Sequence, residues 1–499
     1  MTASRIARGA SLAGALALVA TGCDWLQFGG DPLHSGFSPH TTVSAANVSG
    51  LHQAWQVSLP SYADGAPVIV EGAVTPTGAR DLVIAATTAG DLLAYDAGAG
   101  GAPLWSAHHP AGACRVNSGS AACYTTSSPA VDPGLQYVYT YGLDGFVHKH
   151  VVGTGAEVTT GGWPVLASRK PYDEKGSSAL TIHTPPDGAS YLYVTDAGYP
   201  GDHGDYQGHV TAINLATGTP RYFDALCSSS AVLFGPPPGT AQLPDCSHVQ
   251  SGVWARDGVV YDTATNRVYL STGNGDYDPA SHMWGDSVLA ISPDGTGGAT
   301  GDPLDAYTPT NYQALQSSDT DLGSTAPAVL PTPSTSRVAH LAVQGGKDAK
   351  LRLLNLDDLS GQGGPGHTGG EVGTVIDVPQ GGEVLSAPSV WTNPADSTTW
   401  VFVTTTGGLS ALGLTVDAAG NPSLVTMWQH SSPGTEGSPL VANGVVFVPS
   451  TGTLAAFDAI SGASLWSGAI GGVHWQSPAL GARHLVVEDN SGHLTAFGL

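Results

Sequence analysis

The sequence has little positive charge. Its 499 residues include 16 lysines and arginines against 40 aspartates and glutamates, and the formal net charge is −24. A surface of this sign repels polyanions, so we expect no nucleic-acid partner. Only 11% of the residues are charged, but the hydrophobic fraction of 41% is enough to form a core, so the chain is not a disordered one.

Several catalytic motifs are also missing. The sequence has no Gly-x-Ser-x-Gly elbow, no His-Glu-x-x-His pair, no phosphate-binding loop ending in Lys-Ser/Thr and no Cys-x-x-Cys-His haem motif. These absences argue against several hydrolase, nucleotidase and cytochrome classes. Of the 18 histidines, His148 and His150 lie two apart on a predicted strand, and His108 adjoins His109. Without a metal-binding motif, we expect these to be ordinary surface histidines.

A short apolar run lies at the N-terminus. Arg5 and Arg8 precede Ala10–Ala20, which is too short to remain as a spanning helix. The next residues, Val19–Cys23, resemble a bacterial lipobox, in which cleavage after Gly22 leaves an acylated Cys23. This predicts a lipoprotein that is held on a bacterial membrane outside the cytoplasm, in the periplasm or at the cell surface. The alternative is an ordinary secretion signal with an incidental cysteine.

Cysteine is scarce, and its count fits an oxidising compartment. If one of the five cysteines carries the lipid, four remain in two local pairs, Cys114 with Cys123 and Cys227 with Cys246. Four free thiols would be unusual outside the cytoplasm, so we predict two disulfides, each of which closes a long loop.

Turn residues are abundant, with 68 glycines and 35 prolines, and they separate short strands that recur as a four-stranded unit. Residues 436–467 show this unit in full. Each copy opens with Ser-Pro-x-Val or a degenerate form of it, which begins at Ala66, Ser128, Ser178, Val253, Ala326, Ala387, Ser438 and Ser477. One such meander cannot bury both of its faces. The sequence therefore predicts an all-β fold, an eight-bladed β-propeller of four-stranded antiparallel blades.

The two ends of the mature chain are expected to close the ring. The last copy stops at Leu499 after its third strand, whereas Leu51–Val57 resembles a fourth strand that lacks the first three. Pairing them would remove an exposed sheet edge.

These features divide the chain into three parts. We expect a signal peptide at 1–22, a tether with an opening motif at 23–50 and one propeller at 51–499. Longer insertions should cover one face of the ring, near the axis where propellers bind ligands; they span 106–125, 170–187, 198–208, 228–250, 272–286 and 302–323.

The opening motif and the repeats resemble the pyrroloquinoline-quinone (PQQ) repeat family. The resemblance covers nearly all of 24–499 and lies in Trp25–Asp31, Ala94–Asp96, Ala456–Asp458, Leu465-Trp466 and the Ser-Pro strands. It implies a PQQ-like propeller in which the repeat tryptophans Trp105, Trp428 and Trp466 pack between neighbouring blades.

Three other stretches resemble parts of quinoprotein alcohol dehydrogenases: Ser271–Gly275 with Asp286–Ala290, Ser318–Ser324 and Gly345–Ala349. The resemblance implies that Asn274 is a ligand of the Ca²⁺ that sits on PQQ. It implies Asp321 as the base, with Asp319 as a second candidate, and Lys347 as a contact to the cofactor.

Asp276 and Asp278 follow Asn274 at alternate positions and would add oxygen ligands for Ca²⁺. The alternative for all three residues is a turn held by hydrogen bonds from side chain to backbone. For Asp321 and Lys347, the alternative is a structural polar network.

Two functions remain open at this point. The first is a PQQ- and Ca²⁺-dependent dehydrogenase that oxidises an alcohol, sugar or polyol. The second is a non-catalytic scaffold that binds protein partners, like the lipoprotein of the outer-membrane β-barrel assembly machine. With either function we expect a monomer. The family's adjacent cysteine pair and its second calcium ligand, a glutamate, are missing; the nearest acids are Asp202 and Asp205. These departures favour the scaffold, whereas Asn274, Asp321 and Lys347 favour the enzyme.

Overall fold

The structure, a computed structural model, describes residues 24–39, 42–111, 122–199, 202, 204–230, 246–432 and 437–499. β-branched and aromatic runs form short strands, and residues with positive φ turn the chain between them. In the blade formed by the complete repeat at 436–467, Asn443 (φ 44°) and Gly444 (φ 76°) join Leu440–Ala442 to Val445–Ser450. Two successive positive φ angles are typical of a tight hairpin turn.

Eight four-stranded antiparallel sheets form the blades of a β-propeller, as predicted. Blade 1 consists of Val68–Thr75, Gly78–Ala86, Asp91–Asp96 and Gly100–His108. Blade 2 consists of Ala130–Val131, Tyr137–Tyr141, Phe146–Val151 and Val165–Leu166. Blade 3 consists of Thr181–His183, Tyr191–Gly198, His209–Asn214 and Thr219–Asp224. Blade 4 consists of Val260–Asp262, Arg267–Ser271, Val288–Ile291 and Asp305–Tyr307.

The second half of the ring repeats this plan. Blade 5 consists of Ala328–Leu330, Leu341–Gln344, Lys350–Asn355 and Ile376–Asp377. Blade 6 consists of Ser389–Thr392, Thr399–Thr405, Gly408–Val416 and Pro422–Ser431. Blade 7 consists of Leu440–Ala442, Val445–Ser450, Thr453–Asp458 and Ser464–Ala469. Blade 8 consists of Ala479–Gly481, His484–Glu488, His493–Gly498 and His52–Ser58.

The remaining elements are short. They are the strands Phe37–Ser38 and Glu174–Gly176, the hairpin of Tyr277–Asp278 with Met283–Trp284, the 3-10 turns Val48–Gly50 and Pro279–Ser281, and the α-helix Tyr312–Ser318. Within the described ranges, no helix has both the length and the apolar character needed to cross a membrane.

The predicted closing strand is confirmed. His52–Ser58 pairs antiparallel with His493–Gly498, so that Gln53 lies opposite Phe497 and Trp55 lies opposite Ala496. The first strand of the ring thus completes the last blade and covers the edge that His493–Gly498 would otherwise leave unpaired.

Tryptophans on the outer strands join neighbouring blades, as the resemblance implied. Trp105 of blade 1 donates a hydrogen bond from Nε1 to the carbonyl of Val152 at 2.8 Å, and its ring covers Gly155. A Cβ on Gly155, which has a φ of 68°, would lie 2.5 Å from that ring. Only glycine satisfies both demands. The same donation from tryptophan to carbonyl is made by Trp55 to Ala97, Trp428 to Ala459 and Trp466 to Leu51.

The serine of the Ser-Pro motif also joins blades. The hydroxyl of Ser128 accepts a hydrogen bond from the backbone N–H of Ala66 at 2.8 Å, and Ser438 accepts one from Ala387 at 3.0 Å. In each bond a backbone N–H of one blade donates to the serine of the following blade, so a buried backbone donor is satisfied. The repeated motif therefore encodes the contacts around the axis as well as a strand start.

Residues 24–38, predicted as part of a tether, lie across the first strands of the blades. The carbonyls of Trp25, Leu26, Pro32, Ser35 and Gly36 accept hydrogen bonds from first-strand N–H groups of Ile69, Val131, Tyr261, Val390 and Val441, at 2.7–2.9 Å. The side chain of Gln27 accepts another from Ile182 at 2.7 Å. Six blades are bound in this way. The segment therefore fills the axial channel at the level of these strands, and we call it the axial plug.

One of the two predicted disulfides lies within the described residues. Cys227 and Cys246 are bonded, with their Cα atoms 5.9 Å apart, and they close the insertion that follows blade 3. Cys114, the predicted partner of Cys123, lies outside the described residues. So do Cys23 and the predicted signal peptide at 1–22. The second disulfide and the lipid site therefore stay predictions.

Candidate active site

A cavity of about 790 Å³ opens at the axis. Its walls come from residues that precede the first strands and residues that follow the second strands, together with the predicted insertions. The cavity lies before the first strands begin, whereas the axial plug contacts those strands further along, so the plug lies beneath the cavity. The lining residues used below are Asp64, Lys175, Asp202, Trp254, Arg256, Asn274, Asp319, Asp321, Lys347, His474 and Trp475.

Asn274, Asp319, Asp321 and Lys347, which separate stretches of the sequence suggested, meet on one wall. Asn274 follows the second strand of blade 4, and its Nδ2 donates to Asp319 Oδ1 at 2.8 Å. The Nζ of Lys347 lies 2.6 Å from Asp319 Oδ1 and 2.7 Å from Asp321 Oδ1. All four residues therefore line one axial pocket. Their chemical roles stay predictions.

The helix Tyr312–Ser318 positions the two aspartates. Asp319 caps its C-terminus in the left-handed conformation (φ 54°), and its side chain is 68% exposed. Asp321 lies two residues further on and is 1% exposed. The left-handed conformation at Asp319 thus directs the carboxylate of Asp319 to the open cavity and that of Asp321 into the wall.

Asp321 is held from three directions. Its Oδ2 accepts hydrogen bonds from Trp254 Nε1 at 2.9 Å and from the backbone N–H of Gly323 at 3.1 Å, while Oδ1 faces Lys347. Burial raises the pKa of Asp321, although Lys347 opposes the shift. For Lys347, burial alone would lower the pKa, but the carboxylates of Asp321 and Asp319 outweigh it and raise the pKa. Lys347 therefore stays protonated, and it lies beside the carboxylate of Asp321, whose raised pKa makes it a better proton acceptor.

Asp286 lies behind this wall. It is buried, and neither carboxylate oxygen has a side-chain hydrogen-bond partner within the part of the chain that the structure describes. Burial, followed by the charge of Asp321, raises the pKa of Asp286 to about 8. At neutral pH this carboxyl group is therefore mostly protonated.

The opposite wall carries a second charged group. Asp64 Oδ2 accepts from Arg256 Nη2 at 2.9 Å and from His474 Nδ1 at 2.8 Å. The guanidinium of Arg256 lies 4.5 Å from the ring centre of Trp475. Burial would raise the pKa of Asp64, but Arg256 and His474 lower it. Nearby, burial lowers the pKa of Lys175 to about 7.

Flat aromatic surface lies between the two walls. The ring centres of Trp254 and Trp475 are 5.8 Å apart, and Lys347 Nζ lies 5.0 Å from the ring centre of Trp254. A planar, polar ligand would find an aromatic face and cationic groups together here.

The structure does not bring Asp276 and Asp278 to the cavity. Asp276 pairs with His248 Nδ1 at 3.0 Å and is 55% exposed. Asp278 caps the 3-10 turn Pro279–Ser281 by accepting from the N–H of Ala280 at 3.2 Å. Asp278 thus has the turn geometry that was the alternative to a metal ligand.

Two residues of the site were missed as site residues by the sequence reasoning. Asp202 lies 3.4 Å from Asn274 Nδ2 and is held by a hydrogen bond from Tyr206 Oη at 2.7 Å. In the sequence it stands out only as one of the nearest acids to a missing glutamate. Trp254 stands where most copies of the opening motif have proline, and this departure from the repeat was a usable signal.

The chain is similar to known proteins over most of its length. Residues 25–294, more than half of the chain, match the family described as the glucose/ethanol/alcohol dehydrogenase β-propeller domain, a PQQ family. The chain belongs to this family. Residues 414–498 of this PQQ-family propeller match a second family, described as outer membrane protein assembly factor BamB. A search of curated protein sequences found no match.

Solved structures are similar to this PQQ-family propeller in fold. A quinohemoprotein alcohol dehydrogenase from Pseudomonas putida HK5 has 16% identity and a TM-score of 0.64, covering 96% of this chain and 80% of that one. A europium-containing methanol dehydrogenase has 16% identity and a TM-score of 0.63, covering 96% and 98%. BamB from Moraxella catarrhalis has 13% identity and a TM-score of 0.50, covering 90% and 98%.

The residues present fit the cofactors of such dehydrogenases. The buried amide oxygen of Asn274 has no hydrogen-bond partner among the described residues, and the carboxylates of Asp202 and Asp319 lie against the same amide group. Oxygen donors of this kind suit Ca²⁺ and other hard cations. The adjoining aromatic slot suits a flat quinone.

Proposed function

We propose that this protein is a quinoprotein dehydrogenase that oxidises an alcohol, sugar or polyol at the axial cavity. The observation that carries the proposal is the convergence of Asn274, Asp319, Asp321 and Lys347, from blades 4 and 5 and the loops beside them, on one wall beside Trp254. A structural polar network would not leave the buried amide oxygen of Asn274 without a partner among the described residues.

The cation would be held by oxygens from Asn274, Asp202 and Asp319, with the amide of Asn274 turned so that its oxygen faces the ion. Lys347 and the ring of Trp254 would hold the cofactor. When bound, PQQ with Ca²⁺ supplies an electrophilic carbonyl that accepts hydride from the alcohol carbon.

The chain's own acids would handle the alcohol proton. Asp321 is the first candidate base, because burial raises its pKa and so makes it a better proton acceptor at neutral pH. Asp319 is the second candidate, because its exposed carboxylate is open to the cavity. Lys347 lies between them, and its charge stabilises whichever carboxylate is ionised as well as negative charge that develops on a bound ligand.

We also propose that the protein works outside the cytoplasm, anchored through a lipid on Cys23. The Cys227–Cys246 disulfide supports an oxidising compartment. Mass spectrometry of the membrane-extracted protein should find Cys23 as an acylated N-terminus. An unmodified peptide that begins earlier would contradict the anchor but not the enzyme.

Reconstitution tests the enzymatic function. Purified protein with PQQ and Ca²⁺ should acquire quinone absorbance that survives gel filtration and should reduce an artificial electron-accepting dye with alcohols or sugars. Eu³⁺ should be tried in parallel, because the structurally similar methanol dehydrogenase contains europium.

Variants of one loop give a matched control for this test. Asn274→Ala should lose cation-dependent PQQ uptake, whereas Asp278→Ala, four residues away and outside the cavity, should bind as the wild type does. If the folded wild type takes up no quinone with either cation, or if Asn274→Ala makes no difference, the dehydrogenase assignment is wrong.

The second candidate is a scaffold for protein partners, and the match of residues 414–498 to BamB favours it. A scaffold would keep its binding partners when the cavity is altered. Co-purification of the same membrane proteins with wild type and Lys347→Met, together with no quinone uptake, would support this function.

A further inference from the structure

Three histidines that were expected on the surface are buried at the joint between blades 1 and 2. His109, His148 and His150 are 8%, 4% and 1% exposed. The expectation failed because the contact partners come from different blades. The rings of His109 and His148 are stacked, with their centres 3.5 Å apart, and His109 Nε2 lies 2.9 Å from His150 Nε2.

The fold builds this cluster from three segments. His148 and His150 alternate on the third strand of blade 2 and therefore share a face. Beyond the next turn the chain returns, and Glu157 forms a bridge directly opposite His150. His109 follows the last strand of blade 1, and its backbone is fixed by hydrogen bonds with Gly90 of blade 1 and Leu143 of blade 2, at 2.9 and 3.0 Å.

Hydrogen bonds assign the ring nitrogens. His150 Nδ1 lies 2.9 Å from the carbonyl of Gly155, which can only accept, so His150 Nε2 carries a lone pair. His109 Nε2 must then donate to it, and this leaves the lone pair of His109 on Nδ1. His148 Nε2 faces the carboxylate of Asp144 at 3.2 Å, while Nδ1 lies 2.7 Å from Glu157 Oε1.

In metal-binding histidines, one ring nitrogen is usually held by an outer partner while the other binds the ion. His109 Nε2 has such a partner in His150, and His148 Nε2 has one in Asp144. Suitable atoms of His109, His148 and Glu157 lie within 4.8 Å of one another. Gly142 leaves the room for this, since a Cβ there would lie 2.5 Å from Asp144 Oδ1 and 2.8 Å from His148 Nε2.

We propose that His109 Nδ1, His148 Nδ1 and Glu157 bind a divalent transition-metal ion, with Zn²⁺ as the probe, and that Asp144 and His150 orient the ligands. Two imidazoles and one carboxylate suit Zn²⁺ better than Ca²⁺, which prefers oxygen ligands. Glu157 and Asp144 are about one-third exposed, so the ion can enter from solvent and a fourth position remains for water. Because the rings of His109 and His148 are stacked, one ring must turn about its Cβ–Cγ bond to bind.

One contact must change when the ion binds. His148 Nδ1 and Glu157 Oε1 share a hydrogen bond at 2.7 Å, so Zn²⁺ has to take the place of the proton between these two atoms.

Calorimetry on the chelator-treated full protein, without PQQ, tests the site. Zn²⁺ should bind once and tightly. Glu157→Gln should weaken binding at least tenfold, and Asp144→Asn should weaken it by about 10–100-fold, as loss of an outer partner does elsewhere. Ca²⁺ should not compete.

His340→Ala is the matched control, since His340 forms an exposed pair with Asp357 at 2.8 Å outside the cluster. It should bind Zn²⁺ as the wild type does. Circular dichroism confirms folding, and Glu157 is exposed enough for Glu157→Gln to fold. The proposal is overturned if the folded wild type binds no Zn²⁺, or if Glu157→Gln and wild type bind it equally. Either result leaves the axial site unaffected.

Discussion

The blade joints and the axial cavity use residues in opposite ways. At the joints one device recurs: Trp55, Trp105, Trp428 and Trp466 each donate from Nε1 to a carbonyl of the next blade. At the cavity no single contact recurs, because the blades contribute side chains of different chemistry, such as Lys175, Asn274 and His474. Repetition therefore produces the ring, and departures from the repeat produce the site.

Trp254 shows the difference most directly. Six of the eight opening motifs have proline at their second position, whereas blade 4 has this tryptophan, and its Nε1 bonds Asp321 instead of a neighbouring carbonyl. The same residue type thus stabilises the ring in one place and orders a cavity carboxylate in another.

The largest expected effect comes from breaking a joint. Trp55→Ala removes a ring that is 8% exposed and a hydrogen bond across the ring closure. The free energy of unfolding should fall by about 3–5 kcal/mol, measured by chemical denaturation. Val425→Ala, at a side chain that is 45% exposed, should change it by less than about 0.5 kcal/mol. Equal effects of the two would show that the joints do not stabilise the ring.

A change in the cavity should affect chemistry more than folding. Lys347→Met removes the cation between Asp319 and Asp321, so reconstituted dehydrogenase activity should fall by about 10²–10³-fold. Thermal stability should change far less than in Trp55→Ala, because Lys347 is partly exposed. A fall in activity no larger than that of Trp55→Ala, assayed where both are folded, would contradict a specific role.

The pH dependence of stability separates the two regions. Asp286 ionises near its ordinary pKa of 3.8 when unfolded but only at about 8 when folded, because burial disfavours its charge. The contribution of neutral Asp286 to the free energy of unfolding is therefore complete below pH 4 and is lost as the pH rises towards 8. Asp286→Asn does not titrate, so relative to wild type it should gain stability between pH 5 and 8, by up to about 1.4 kcal/mol per pH unit.

Thermal melts across that range check this prediction. The deficit of Trp55→Ala should be the same at each pH, because tryptophan does not titrate. Parallel curves for wild type and Asp286→Asn would mean that Asp286 is already ionised in the folded protein at pH 5.

The smallest effect should come from the cap of a turn. Asp278→Ala loses the hydrogen bond to the N–H of Ala280, which should cost about 0.5–1 kcal/mol without affecting quinone uptake. Differential scanning calorimetry is sensitive enough to detect it. A loss of Ca²⁺-dependent PQQ uptake in this variant would return Asp278 to the ligand set.

The fold could be predicted because each signal is local and repeated eight times. Tyr137–Tyr141 and Val445–Val448 are patterned runs between turns, and the lone strand ending at Val57 had one natural partner, the incomplete last blade. The alternation of Asn274, Asp276 and Asp278 misled for a physical reason. The chain enters a hairpin at Tyr277–Asp278, so these side chains no longer share a face.

The rest of the site depends on contacts that no spacing encodes. Asp202 reaches Asn274 across 72 positions of sequence, and the histidine cluster joins two blades. Asn274, Asp321 and Lys347 were found through a family resemblance. Their hydrogen bonds with Trp254 and Asp319 required the three-dimensional arrangement.

The axial plug determines how anything reaches the cavity. Because residues 24–38 occupy the channel beneath it, the cavity is closed at its base, and any ligand must enter and leave through the same mouth. The plug begins one residue after Cys23. If that cysteine is lipidated, the closed base of the cavity faces the membrane, and its mouth opens on the side away from the membrane.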